Sequence, residues 1–275
     1  MLKFLIPCYY LFYSRLKSKI EKISWFIIYV IPIYILGLFY ISSDYFIFTT
    51  IFILSILIFN SIYEIGYIEN DTKTILNEEN PTLRLKVKDY DIFKEKYFII
   101  IFLKIFISSS LLFLAYILSD IFLFKIYITQ FLIILFLIRI LFYMHNKIRN
   151  RANIITFFTL STTKYSAPLF LILPLNNLLS VWIISFFLFP LLRTIEHSTK
   201  KKYAFIEWIG FVGNHDIFRV KYYSIMLITV CIINYLYTDT TLLVVLLLFI
   251  YFFIFRVSSY FLVKNKLYQR YNTLS

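Results

Sequence analysis

Eight of the 15 carboxylate side chains in this 275-residue chain fall between Glu64 and Glu95, and Glu64 lies inside an otherwise apolar run. In the stretch Asn60-Ser-Ile-Tyr-Glu64-Ile-Gly66-Tyr67-Ile-Glu69-Asn70-Asp71, continuous helix would set Asn60, Glu64 and Asp71 at i, i+4 and i+11, on one face. Oxygen ligands placed in that way suit Mg²⁺, which keeps several waters and adds one or two carboxylates to substrate phosphates. Glu78, Asp89, Asp91 and Glu95 read equally well as parts of a solvated loop. Glu64 is different, because a carboxylate inside the apolar boundary is costly and turns toward the bundle interior, so it is functional more often than not.

Two lysines share that situation. Lys164, within Thr159-Leu-Ser161-Thr162-Thr163-Lys164-Tyr165-Ser166, sits about 11 residues into an apolar stretch, or about 16 Å deep at the rise of an α-helix. That is too deep to snorkel easily, so a polar cavity is expected around it. Lys104 is about 12 Å into its own stretch and within reach of Glu64 across a bundle. Arg139 and Lys125 lie nearer to the ends of their stretches and read as snorkelling anchors. The spacing of His145, His197 and His215 suggests interfacial residues rather than a metal site.

The elements that position these groups follow from composition. The chain is 61% hydrophobic, 21% aromatic and 16% charged, with 4 Gly and 2 Cys. Soluble domains run at roughly 45 to 50% apolar and about 25% charged, so this is a polytopic membrane protein. Four glycines cannot supply a Walker A loop or a dinucleotide-binding turn, and Cys8 and Cys231 cannot build a disulfide or cysteine–metal framework. Continuous apolar runs without dyad alternation predict helices rather than barrel strands.

The all-α expectation is a bundle of eight spans near residues 25–42, 45–68, 96–118, 121–144, 153–174, 177–194, 221–238 and 241–262, each suited to a hydrocarbon core of about 30 Å. Residues 1–24 read as an interfacial segment, 25–262 as the bundle and 263–275 as a tail. Pro7, the lack of a small-residue cleavage site and the run into Arg15, Lys17, Lys19 and Lys22 argue against a signal peptide. Residues 204–213 are too short to span. The net charge of +13 comes from 28 Lys and Arg, gathered mostly in the termini and alternate links. The positive-inside rule then places both termini in the cytoplasm of a bacterial inner membrane. The basic excess therefore needs no nucleic acid partner, and the protein's surroundings are the lipid bilayer.

On these residues the chain resembles the UbiA superfamily of intramembrane prenyltransferases. That family carries an Asn-Asp-x-x-Asp-x-x-x-Asp motif at the cytoplasmic end of its second helix. Asn60 matches the Asn and Glu64 the second acidic position. Ser61 and Ile68 stand where further Asp residues belong, with Glu69 and Asp71 close by as substitutes. Tyr143-Met-His145-Asn146-Lys147-Ile-Arg149-Asn150-Arg151 is similar to a basic stretch that follows a tyrosine in the family. The family's second motif maps near Arg193-Thr-Ile-Glu196-His197-Ser-Thr-Lys200, where Glu196 is the available acid.

The resemblance implies Mg²⁺ on Asn60, Glu64, Glu69 and Asp71, with Glu64, Asp71 and Lys164 as catalytic candidates. It implies Asn60, Tyr67, Asn70, Arg84, Lys104, Lys147, Arg149, Arg151, Glu196 and Lys200 as groups binding an isoprenoid phosphate or diphosphate. The activity implied is transfer of a prenyl group to an acceptor, or of a phosphorylated sugar to polyprenyl phosphate. A non-enzymatic transporter or membrane-complex subunit, or an inactive family member, is the alternative. The missing internal repeat and scarce Gly count against a transporter.

Overall fold

The structure is a computed structural model that describes residues 1–41, 44–77, 83–148, 150–200, 203, 205–237 and 239–265. Among them there is no strand, and the chain is a succession of helices. It divides into two compact units, one of Met1–Arg149 with Thr159–Trp182 and the other of Asn150–Phe158 with Ile183–Ser275.

The first unit opens with a 3-10 turn, Leu2–Leu5, and a short helix α1, Tyr9–Ser14. Its first long helix begins at a capping box: the Glu21 N–H donates to Ser18 Oγ at 3.1 Å and the Ser18 N–H to Glu21 Oε2 at 2.9 Å, which satisfies two otherwise orphaned donors. That helix runs as α2, Lys19–Trp25, a π-turn, Phe26–Val30, and α3, Ile31–Phe39. Pro32 has no N–H to offer the Ile28 carbonyl four residues back, and the register widens just before it. The freed Ile28 carbonyl accepts the Tyr165 hydroxyl at 2.8 Å.

Next come α4, Tyr45–Thr72, a 3-10 turn, Thr74–Asn77, and α5, Val87–Ile121, bent where Lys96 leaves helical angles. They are followed by α6, Ile128–Lys147, and α7, Asn153–Ser166, which passes into the 3-10 turn Ala167–Leu171 around Pro168. Helix α4 is the centre of this unit. Every residue from Ile58 to Gly66 is buried, and a helix enclosed on all sides belongs in the core. Gly66 makes the closest approach possible: a Cβ there would stand 2.3 Å from Phe142 of α6. The Asn146 amide then donates to the Gly66 carbonyl at 3.3 Å.

The N-terminal segment does more than lie at an interface. Phe4, Leu5 and Tyr10 are buried, packed with Ile68, Phe93 and Ile100. Pro7 and Cys8, the latter at φ 66°, turn the chain back on itself ahead of α1.

The second unit takes the start of α7 and the end of α8, Leu175–Leu188, then α9, Pro190–Ser198, set at 44° to α8 across a break at Phe189 and Pro190. It continues with α10, Ile206–Val212, α11, His215–Leu236, and α12, Thr240–Lys264. Helices α11 and α12 lie against each other, with the Tyr223 and Phe252 rings stacked at 5.2 Å.

Among the described residues, five helical stretches are long and apolar enough to cross a membrane: Lys19–Phe39, Tyr45–Leu76, Val87–Ile121, Ile128–Lys147 and Thr240–Lys264. The bent α8–α9 pair makes six if it crosses as one. These correspond to the first four, the sixth and the eighth of the expected spans. The stretch expected at 153–174 divides at Pro168 into α7 and a 3-10 turn. The stretch expected at 221–238 is the body of α11, whose first turns carry Arg219 and Lys221.

Candidate functional site

The acidic face of α4 is assembled as its spacing predicts, and the chain itself covers it. Glu64 forms a buried ion pair with Lys104 of α5, Nζ to Oε2 at 2.7 Å, with side-chain exposures of 0% and 1%. Its other oxygen, Oε1, accepts the Leu11 backbone N–H at 2.7 Å. Two turns on, Asp71 Oδ1 receives Arg15 Nη2 at 2.9 Å, Arg84 Nη1 at 3.3 Å and Asn70 Nδ2 at 3.1 Å. Asp71 Oδ2 accepts the Tyr10 hydroxyl at 2.8 Å. Helix α1 and the residues around it thus sit where a hydrated cation would have to stand.

Glu69 points elsewhere on the helix. Its Oε1 accepts Arg139 Nη2 at 2.6 Å and the Tyr97 hydroxyl at 3.1 Å. Arg139 is therefore an ion-pair partner held at the bundle, not the snorkelling anchor that its place near a helix end suggested. Asn60 is buried and donates to the Ile56 carbonyl of its own helix at 2.9 Å. The donor set expected for Mg²⁺ does not fit the ion. The three carboxylates face different cations of the chain, and the described residues hold no group of three or more His, Cys, Asp or Glu arranged for a metal. Carboxylates already engaged by guanidinium, ammonium, hydroxyl and N–H donors have less to offer a divalent ion.

Beside this network lies a cluster of cations and phenols. Lys164 lies with its ammonium 4.8 Å from the Tyr63 ring centre and 5.3 Å from that of Tyr29. No carboxylate among the described residues is within ion-pair distance of it. Tyr29 donates its hydroxyl to the Lys164 carbonyl at 3.1 Å. Arg15, which sequence reasoning left among the interfacial charges, stacks on the Tyr67 ring at 4.5 Å, and its Nη1 is buried without a hydrogen-bond partner. Tyr63 and Tyr67 meet edge to face at 5.1 Å. Cations over aromatic faces gain roughly 0.5 to 2 kcal/mol each, but the phenol rings do not neutralise the charge.

The Cys8 thiol lies within the fields of Glu64, Lys104 and Lys164. Burial first, and the Glu64 charge second, push it up to about 12. A thiol so placed is inert as a nucleophile. Outward of this, Tyr9, Phe12, Tyr13, Lys17 and Lys22 line a shallow recess of about 240 Å³ on the N-terminal segment.

Lys147 is exposed at the end of α6, 5.6 Å from the Tyr143 ring centre. Arg149 falls outside the described residues. In the second unit, Arg151 donates through Nε to the Tyr203 carbonyl at 3.0 Å, and Lys200 is exposed. Glu196 there is tied to Arg193 Nη1 at 2.6 Å and to Arg219 Nη2 at 3.1 Å. His197 stacks on Phe157 at 3.9 Å and meets the Tyr203 hydroxyl at 2.8 Å, a packing role. Compared with protein-family models, with curated proteins and with solved structures, the chain matches none.

Proposed function

We propose that this is an inner-membrane protein with cytoplasmic termini and as many as eight crossings, which binds the phosphate or diphosphate of a polyprenyl lipid in its first unit. In its enzymatic form the reading is a UbiA-like transferase that moves a prenyl group to an acceptor, or a phosphorylated sugar to polyprenyl phosphate. The observation that carries it is the pair of incompletely matched cations, Lys164 over Tyr63 and Tyr29, and Arg15 over Tyr67 with one nitrogen unpaired.

A phosphate between these groups would receive the ammonium and the free edge of the guanidinium, and charge-assisted bonds of this kind are roughly twice as strong as neutral ones. In prenyl transfer the carbon–oxygen bond to the diphosphate breaks and the diphosphate leaves with the electron pair. The acceptor atom bonds to the prenyl carbon and gives up a proton. Fixed cations on the leaving oxygens lower that barrier, and the phenol-lined, poorly hydrated surroundings protect the allylic cation. This chemistry runs through Lys164 and Arg15 alone, because Glu64, Glu69 and Asp71 are engaged by the chain's own cations.

That engagement also favours a second reading, in which the network is architectural and the protein is a non-catalytic membrane subunit. The full chain in nanodiscs separates the two. Polyprenyl phosphate is expected to bind with a 1:1 component that K164M weakens at least tenfold while leaving thermal stability nearly unchanged. Transfer to added acceptors or from a sugar diphosphate marks the enzyme. Binding without transfer across a panel of both marks the subunit, and binding that is indifferent to K164M and R15Q removes the proposal.

A further inference from the structure

The second unit holds a buried arginine that forms no ion pair with a carboxylate of the described residues. Arg256 is the seventeenth residue of α12, eight residues before its end at Lys264 and so about 12 Å from that basic terminus. The residue is 7% exposed. Its guanidinium is walled by the rings of Phe255, Phe189 and Tyr223 at 5.2, 5.8 and 6.0 Å. Its Nε is buried without a hydrogen-bond partner, and no carboxylate of the described residues lies within ion-pair distance of it. A guanidinium stays protonated in any protein environment, and a buried charge without a partner is strongly destabilising.

The nearest fixed charges increase the imbalance. Arg193 shares the Phe189 ring with Arg256, at 5.9 Å from its centre. Arg219 and Arg193 both grip Glu196, Arg219 also reaches Asp216 at 3.3 Å, and His215 stands 3.8 Å from Glu196. The charge of Arg256 interacts with those of Arg219, Glu196 and Arg193. Three guanidinium groups and an imidazole therefore answer to two carboxylates, both already taken by Arg219 and Arg193. The phenol of Tyr223 does not restore neutrality, since its hydroxyl is donated to the Leu188 carbonyl at 2.6 Å.

We propose that Arg256, with Arg193 and Arg219, forms a second anion site, in the second unit, for a phosphate group. A planar guanidinium fork matches the paired oxygens of a phosphate. An intramembrane arginine facing away from lipid marks a ligand site by default. The phosphate can arrive on a lipid headgroup or as the free ion. The site does not rest on the lipid-binding reading of the first unit, because no residue is shared.

Native mass spectrometry and thermal-shift titration of the full chain in detergent test the site with four probes. These are inorganic phosphate, inorganic diphosphate, polyprenyl phosphate, and polyprenol as the phosphate-free control. Wild type is expected to bind at least one phosphate-bearing probe and not polyprenol. R256M is expected to lose one bound phosphate equivalent, its affinity falling at least tenfold, and R256K and R193Q to weaken that same equivalent severalfold. Binding of the lipid probe alone identifies a headgroup site, and binding of the inorganic probes identifies a free-anion site. If no phosphate probe binds, or if R256M, R256K and R193Q all bind as wild type does, the proposal fails. If R256M does not fold, R256K and R193Q decide the matter. Loss of binding in K164M with binding retained in R256M would overturn this site and leave the first one standing.

Discussion

Glu64 and Lys104 form the pair whose loss should be felt most. With both side chains at most 1% exposed, removing one partner strands a buried charge, which costs about 3 to 5 kcal/mol. K104M is therefore expected to lower the melting temperature steeply in detergent. The double variant E64M/K104M should recover most of the loss, because apolar replacement of a buried pair is often neutral. A K104M protein as stable as wild type would show the pair to be idle. Cys8 tests the same neighbourhood from its other side. In a C231S background, a thiol pushed up to about 12 should resist maleimide at pH 8 and react once the chain is unfolded. This pairing was legible in sequence, since both residues interrupt apolar runs and only a charge of opposite sign within the bundle makes either tolerable. Arg256 likewise interrupts an apolar run, 241–262, and is legible in sequence as a buried charge. Arg15 was not legible: beside Lys17, Lys19 and Lys22 it has the look of any interfacial anchor, and only the fold brings it onto Tyr67 and Asp71.

Among the helices, the contact of α4 with α6 rests on one missing methyl. Gly66 lets the Phe142 ring approach to where a Cβ would stand 2.3 Å away. G66A should force the two helices apart at a cost of about 1 to 3 kcal/mol, and G66A/F142L should regain part of it by shrinking the ring. Equal stability of G66A and wild type in a thermal scan would contradict this packing. The helical class and the stretches at Tyr45–Leu76, Val87–Ile121, Ile128–Lys147 and Thr240–Lys264 follow from long apolar runs alone. The stretches around Pro168 and Pro190 are harder to read, because hydropathy cannot distinguish one bent span from two half-length helices. Docking of the N-terminal segment was hidden for a related reason. Phe4, Leu5 and Tyr10 are as apolar facing lipid as facing Phe93 and Ile68, so sequence gives the segment's amphipathic character but not its cover.

Across the molecule, the arrangement of charge speaks more clearly than its sum. In the first unit Glu64, Glu69 and Asp71 each meet a cation contributed by a different stretch of the chain: Lys104 from α5, Arg139 from α6, and Arg15 and Arg84 from the segments flanking α1 and α5. The acidic spacing that suggests a divalent-ion site is real, and it is neutralised from within. This has a measurable consequence. The intact chain should show no Mg²⁺-dependent thermal shift at millimolar concentrations, since a ligand stabilises only by binding the folded state preferentially. Weakening the internal cations at Asp71 in the variant R15Q/R84Q should make its carboxylate, beside Asn70, available to added cations. That variant is expected to lose stability relative to wild type and to recover some of it on addition of Mg²⁺, with Na⁺ at equal ionic strength as the control. A clear Mg²⁺ shift in the unmodified chain would mean that the carboxylates open to metal in spite of their partners. The transferase reading would then regain the ion that its own residues now exclude.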